Sequence, residues 1–317
     1  MVTGADIGLD PDMTDPTIEG VCPIIATPFS ESGEVDYESL RTEVRILAED
    51  GCHAATLFGI ASEFYKLADA ERDRMVEVVT EEASKHDLPI VISVTHESTE
   101  IAVSWAREYE AAGADCLMVF PPIFMDPTKS EVTEHLVAIA EAVSIPIMVQ
   151  HTSQNVAMTA SDFASLNEQA PNVRYFKIET QPPGPFISEL LTETDGSVDV
   201  LVGSAGYQMI EAFDRGATGV MPAAIFNELY LEIYESYVAG DRERALELHS
   251  LLLPVLNHVS QSPIRYSKRI LAERGIVATE YCRRPSGTPT DEHYDELLSH
   301  YLQYLDDRAP IDVWRDR

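Results

Sequence analysis

Basic residues, and lysine above all, are scarce in this chain of 317 residues. Twenty-two basic residues face 54 acidic ones, a formal net charge of −32. Such a balance repels nucleic acid and anionic membrane surfaces. It suits a protein working in concentrated salt, where charges are screened within a few Å. The four cysteines, Cys22, Cys52, Cys116 and Cys282, are widely spaced and form no C-x-x-C pair. That leaves no disulfide framework, and three of them adjoin expected strands as small core residues. The nine histidines include no H-E-x-x-H spacing. Glu131, Glu134 and His135 come nearest to a ligand set but read better as a solvated helix face, so no metal is expected. No apolar run approaches a membrane span, and the acidic start is no signal peptide. A soluble cytoplasmic protein is the expectation. A glycine-rich phosphate loop is missing too, since Gly203-Ser204-Ala205-Gly206 is a weak match, and this disfavours an open nucleotide-binding sheet.

What the chain has is alternation. Short apolar runs at Val21–Ala26, Ala54–Phe58, Ile90–Val94, Cys116–Val119, Ile147–Gln150, Tyr175–Ile178, Val200–Val202 and Gly219–Met221 read as strands. They are apolar nearly throughout, as parallel strands covered on both faces are. Helical segments near 37–50, 69–86, 98–112, 130–143, 159–169, 185–194, 206–215 and 227–239 separate them. Asp36, Thr99 and Ser161 stand where N-caps are needed. Gly51, Gly113 and Gly216 each stand where a helix ends before a strand. Eight such units predict a single (β/α)8 TIM barrel over residues 20–239. Residues 1–19 read as a mobile arm. Residues 240–317, with helices near 241–260, 262–274 and 290–305, read as a C-terminal helical extension packed on the barrel or on a neighbouring subunit.

One of the five lysines is out of place. Lys66, Lys85, Lys129 and Lys268 lie in polar or helical segments, whereas Lys177 sits inside the apolar strand Val173-Arg174-Tyr175-Phe176-Lys177-Ile178. A desolvated lysine favours the neutral amine that a Schiff-base nucleophile must be. The bland alternative is an ion pair with Glu179, two residues on and therefore on the same strand face. Barrel active sites collect at the C-terminal strand ends. Those ends offer Thr27, Gly59 through Glu63, His96, Gln150, His151, Gly203, Ser204 and Met221. Lys177 among hydroxyls, an amide and carboxylates suits carbonyl chemistry on a small acid. His151 stands open between a site residue and a structural one. Tyr230, Tyr234 and Tyr237 read as core or interface, and Arg283-Arg284 as exposed or facing a partner subunit.

Several motifs together carry a family resemblance. Pro23-Ile24-Ile25-Ala26-Thr27-Pro28-Phe29 with Gly33-Glu34-Val35-Asp36, then Gly59-Ile60-Ala61-Ser62-Glu63, Ala112-Gly113-Ala114-Asp115 with Pro121-Pro122, and Phe176-Lys177 follow one another in order. They resemble the dihydrodipicolinate synthase / N-acetylneuraminate lyase superfamily from about Val21 to Pro263. The resemblance implies a class I lyase, usually tetrameric, that needs no cofactor and acts on a 2-keto acid through Lys177. It places the substrate carboxylate at Gly59, Ala61, Ser62 and Glu63, with backbone N–H groups and the Ser62 hydroxyl as donors.

The departures narrow the expectation. Gln150 stands where the family has a proton-shuttling tyrosine, Ile123-Phe124 where it has a tyrosine pair, and Asn155 where the synthases have an arginine. Tyr175 through Thr180, Gln150, and the tail from Gly275 to Pro285 resemble the 2-keto-3-deoxypentonate (2-keto-3-deoxyarabinonate) dehydratases. The implied reaction is dehydration of such an acid to 2-oxoglutarate semialdehyde in pentose degradation, with Glu179 as acid/base and Gln150, Ser62, His151, Gly203 and Met221 around the substrate. An aldolase releasing pyruvate and a non-catalytic keto-acid binding barrel are the alternatives.

Overall fold

Eight parallel strands make a closed ring in the computed structural model, which describes residues 17–124, 126–154, 156–286 and 291–309. The strands are β1 (Gly20–Val21), β2 (Ala55–Leu57), β3 (Ile90–Ser93), β4 (Cys116–Val119), β5 (Ile147–His151), β6 (Val173–Ile178), β7 (Asp199–Val202) and β8 (Gly219–Val220). From β2 to β8 each strand pairs in parallel with the next, and β1 pairs with β8. The ring closes between β1 and β2 where Thr56 N–H donates to Pro23 at 2.8 Å and Ile25 N–H donates to Thr56 at 2.9 Å. The first strand is shorter than Val21–Ala26 because Pro23 has no N–H to give the ladder; Ile24 then bridges both neighbours singly.

The helices alternate as expected: α1 (Tyr37–Asp50), α2 (Asp69–Ser84), α3 (Thr99–Ala111), α4 (Lys129–Ala140), α5 (Ala160–Gln169), α6 (Pro183–Glu193), α7 (Met209–Asp214) and α8 (Asn227–Val238). Asp36 caps α1, its carboxylate accepting the N–H groups of Glu38 and Ser39. Two other expected caps are displaced. Ser98, not Thr99, precedes α3, and the Thr99 hydroxyl instead meets His135 Nδ1 at 2.9 Å. Thr159, not Ser161, caps α5, because Asp162 three residues on completes a reciprocal capping box. Gly51, Gly113 and Gly216 all take the left-handed conformation.

Strand alternation sorts the side chains into two layers. Cys22, Cys116, Met118, Met148, Tyr175 and Leu201 fill the barrel interior, while their sequence neighbours pack outward under the helices. This is why the strands look uniformly apolar. Residues 1–16 of the expected arm lie outside the described residues, but Ile18 is fully buried in the barrel floor, its N–H on the Tyr175 hydroxyl at 3.2 Å. The ordered barrel therefore begins before residue 20. Among the described residues no helix is long and apolar enough to cross a membrane.

The C-terminal helices α9 (Arg242–Val259), α10 (Pro263–Glu273) and α11 (Glu292–Arg308) follow the barrel, and three cations pin this extension to its rim. Lys268 of α10 pairs with Glu63, whose second oxygen holds Lys66 at 2.6 Å. Arg274 pairs with Glu228 at 2.5 Å. Arg283 holds Glu71 Oε2 at 2.7 Å and the Gly33 carbonyl at 2.8 Å. Arg283 thus serves within the chain. Lys268 corrects the sequence reading as well: at 1 % exposure it is more buried than Lys177, so burial alone does not single out Lys177. Lys268→Met leaves the Glu63 carboxylate buried with one cation fewer, and should cost about 3–5 kcal/mol of unfolding free energy. Urea unfolding of Lys268→Met, Glu63→Gln and the double variant checks this, with the double expected well short of the sum.

Candidate active site

Lys177 and Gln150 face each other across the β5–β6 ladder, where their Cα atoms are in register. Tyr175 and Lys177 on the inward face of β6, and Glu179 just past its last residue, follow in steps of two from floor to mouth. The Lys177 side chain is 4 % exposed, and its Nζ lies 3.7 Å from Glu179 Oε1. The ion-pair alternative is therefore real, and it coexists with a lysine presented to a cavity. Gln150 Nε2 donates to Glu179 Oε2, and the Ser204 N–H donates to Oε1 at 2.8 Å. Burial pushes the Glu179 carboxyl up, but the Lys177 ammonium, the Ser204 N–H and the Gln150 amide outweigh it and hold the group below the ordinary glutamate value.

The turn after β7 is shaped around that carboxylate. A Cβ on Gly203 would overlap the Glu179 side chain, so the position admits only hydrogen. Ser204 and Ala205 then adopt left-handed φ values of 50° and 52°, which aims the Ser204 N–H at Glu179. This local geometry delays α7 to Met209 from the expected 206. Across the mouth, a Cβ on Gly59 would stand 2.6 Å from Ile24 Cγ2, so glycine lets the loop after β2 close on β1.

A cavity of about 330 Å³ opens above Lys177. Lys177, Glu179 and Gln150 form its inner end with Ile60, Ala61, Ser204 and Met221. The outer end belongs to the C-terminal extension, through Leu256 and Val259 of α9 and Pro263, Ile264 and Ser267 of α10. The extension is thus a wall of the cavity, a role its helical spacing does not announce.

Lys177, Glu179, Gln150, Ala61 and Met221 come together around the cavity, with Gly59 and Gly203 shaping its rim. Three expected substrate contacts do not. The Ser62 hydroxyl donates to the Ile25 carbonyl at 2.6 Å and is fully buried. Glu63 turns away with φ 54° to meet Lys66 and Lys268. His151 points outward, as strand alternation requires of the residue after Gln150. Its ring packs against Phe163 and Phe186 at 5.1 and 4.8 Å between centroids. Burial pushes its pKa down to about 4. Asn155 lies outside the described residues, and Phe124 projects outward, 74 % exposed, with its N–H on Glu97 at 3.1 Å. Of the tyrosine stripe, only Tyr230 reaches the cavity, its hydroxyl on the Ala205 carbonyl at 2.7 Å. Glu131 completes the capping box of α4 with Thr128, and among the described residues no cluster of His, Cys, Asp and Glu suits a metal ion.

Residues 17–303 match the model of the dihydrodipicolinate synthetase family. An L-2-keto-3-deoxyarabonate dehydratase of Azospirillum brasilense is 27 % identical over 291 residues, covering 90 % of this chain and 94 % of that protein. A 4-hydroxy-tetrahydrodipicolinate synthase of Haloarcula marismortui is 29 % identical over 297 residues, covering 90 % and 93 %. The crystal structure of a putative dihydrodipicolinate synthetase from Pseudomonas aeruginosa superposes with a TM-score of 0.85 at 26 % identity, covering 91 % of this chain and all of that one.

His151 gives a pH-dependent expectation. Its imidazole is neutral in the folded protein and takes a proton in the unfolded chain below about pH 6.5, so stability is lost as pH falls toward 4. His151→Leu removes that loss. Its urea midpoint should gain on the parent protein at about pH 5 relative to about pH 7.5.

Proposed function

From the premise that the chain belongs to the dihydrodipicolinate synthetase family, we propose that it dehydrates a 2-keto-3-deoxy sugar acid through a lysine Schiff base. The most suitable substrate is a 2-keto-3-deoxypentonate. The observation that carries the reading is the set in which Glu179 is ion-paired to Lys177 and hydrogen-bonded by Gln150, so that an amide stands where a proton-accepting phenol would serve aldol cleavage. The similarity to a 2-keto-3-deoxyarabonate dehydratase supports it.

Lys177 adds to C2 of the acid, and loss of water gives a protonated imine that makes the C3 protons acidic. The Glu179 carboxylate takes one of them, forming the enamine. The electron pair then expels the C4 hydroxyl, to which Glu179 returns its proton, and water leaves. Loss of a C5 proton, ketonisation and hydrolysis of the imine release 2-oxoglutarate semialdehyde and free Lys177. The backbone of the loop after β2 would hold the substrate carboxylate at Ile60 and Ala61. Cleavage of the C3–C4 bond instead requires a base for the C4 hydroxyl proton, and Gln150 is not one.

The similarity to 4-hydroxy-tetrahydrodipicolinate synthases favours a second reading, a synthase of that kind. Incubation with a 2-keto-3-deoxypentonate separates the readings. Semialdehyde without pyruvate is expected. Pyruvate with glycolaldehyde would make the protein an aldolase, and no product would leave the synthase or a keto-acid binding barrel. Glu179→Gln should still trap a borohydride-reduced adduct at Lys177 while turnover falls roughly 10²–10⁴-fold. Full activity in that variant removes Glu179 from the mechanism.

A further inference from the structure

The two ends of the cavity differ in chemistry. Among the described residues, Lys177 and Glu179 are its only charged lining residues, and both stand at the barrel end with Gln150. The opposite wall is Ile225, Leu256, Val259, Pro263 and Ile264, with the hydroxyls of Tyr207, Ser260 and Ser267 between them. Two of those hydroxyls are committed as donors to main-chain carbonyls. Tyr207 bonds Leu256 at 2.7 Å and Ser260 bonds Asn257 at 2.7 Å. Among the described residues the far end therefore offers no cation for a phosphoryl group and little hydrogen-bonding capacity for a polyhydroxylated tail. A hydroxyl desolvated against such a wall loses its bonds to water without replacement.

We propose that the wall built by α9 and α10 is a subsite for an alkyl terminus, so that the site accepts a six-carbon acid ending in a methyl group, a 2-keto-3,6-dideoxyhexonate, at least as well as a pentonate. This rests on the dehydratase reading. Carbons 1 to 4 of the two acids are alike, so the imine, the C3 proton transfer and the departure of the C4 hydroxyl are unchanged. Loss of the C5 proton then turns the secondary C5 hydroxyl into a ketone instead of an aldehyde. The product is 2,5-dioxohexanoate, and again one water leaves. The methyl group, which takes no part in the chemistry, lies on Leu256, Val259 and Ile264.

The test compares kcat/KM for three acids, followed by proton NMR so that ketone and aldehyde products are both seen: the pentonate, its methyl-terminated homologue, and the hexonate that carries a C6 hydroxyl. The methyl homologue should equal or exceed the pentonate by roughly 3- to 5-fold, the worth of one buried methyl group. The C6 hydroxyl should cost about ten-fold against the methyl, and a 6-phosphorylated hexonate should not react. Ile264→Ser, at a half-buried position, should lower the methyl-to-hydroxyl preference at least about five-fold. Turnover of the pentonate with the methyl homologue below a tenth of it overturns the subsite alone. So does a preference that Ile264→Ser leaves unmoved. Conversion of none of the acids overturns the subsite and the dehydratase reading together.

Discussion

Burying one ammonium at the mouth of the barrel is the constraint on which this structure turns. Lys177 leaves water almost completely, and an isolated buried charge is costly enough that a partner must accompany it. Glu179 at 3.7 Å is that partner, and its own burial then has to be offset. Gln150 and the Ser204 N–H do so. Presenting that N–H requires the left-handed turn at Ser204 and Ala205, and admitting the carboxylate requires that Gly203 carry no side chain. One desolvated amine thus dictates residues on β5 and at the end of β6, and the shape of the turn after β7. The ion pair and the proposed nucleophile are two aspects of a single arrangement, since the contact that makes burial tolerable also sets an acid/base beside the amine.

Most of the barrel was legible in the sequence because its signals are local. Apolar runs of strand length, glycine at helix ends and Asp36 before α1 each act within a few residues, and these features agree with the structure. Lys177 was legible for the same reason, as a charge inside an apolar strand. The alternation of strand side chains also carried information left unused: if Gln150 faces inward, His151 must face the helices, and it does. Caps were less clear where two hydroxyl residues compete, as at Ser98 with Thr99 and Thr159 with Ser161: Asp162, three places on, decides for Thr159, whereas Ser98 precedes α3 with no side-chain cap bond.

What local pattern could not carry is the use made of the C-terminal helices. Lys268 and Glu63 are 205 residues apart in the chain, and nothing near either one announces the other. Motif position suggested that Glu63 and Ser62 serve the substrate, yet both are consumed in holding the loop after β2 against β1 and α10. Their function in the site is indirect. They fix where Ile60 and Ala61 stand, and so where main-chain N–H groups can point. The same ion pair brings α10 over the barrel mouth, where it contributes Pro263, Ile264 and Ser267 to the cavity. A surface short of lysine keeps two of its five in this one buried cluster, which places structural cost and cavity shape in the same few side chains.

In the proposed reaction the charge on the Lys177 nitrogen governs Glu179 in both directions. While the imine is protonated, its positive charge holds the carboxyl ionised, as the ammonium does in the free protein, and an ionised carboxylate can accept the C3 proton. Formation of the enamine cancels that charge, so the carboxyl retains the proton it has taken. Departure of the C4 hydroxyl restores the cation, and the carboxyl becomes a stronger acid as the leaving oxygen needs a proton. A phenol at position 150 would give that oxygen a competing base and open the way to carbon–carbon cleavage. The Gln150 amide has no proton to accept or surrender at this pH, so it orients the carboxylate without joining the transfer. The proposed preference for losing water over losing pyruvate then rests on which group near C4 can change its protonation, the role proposed for Glu179.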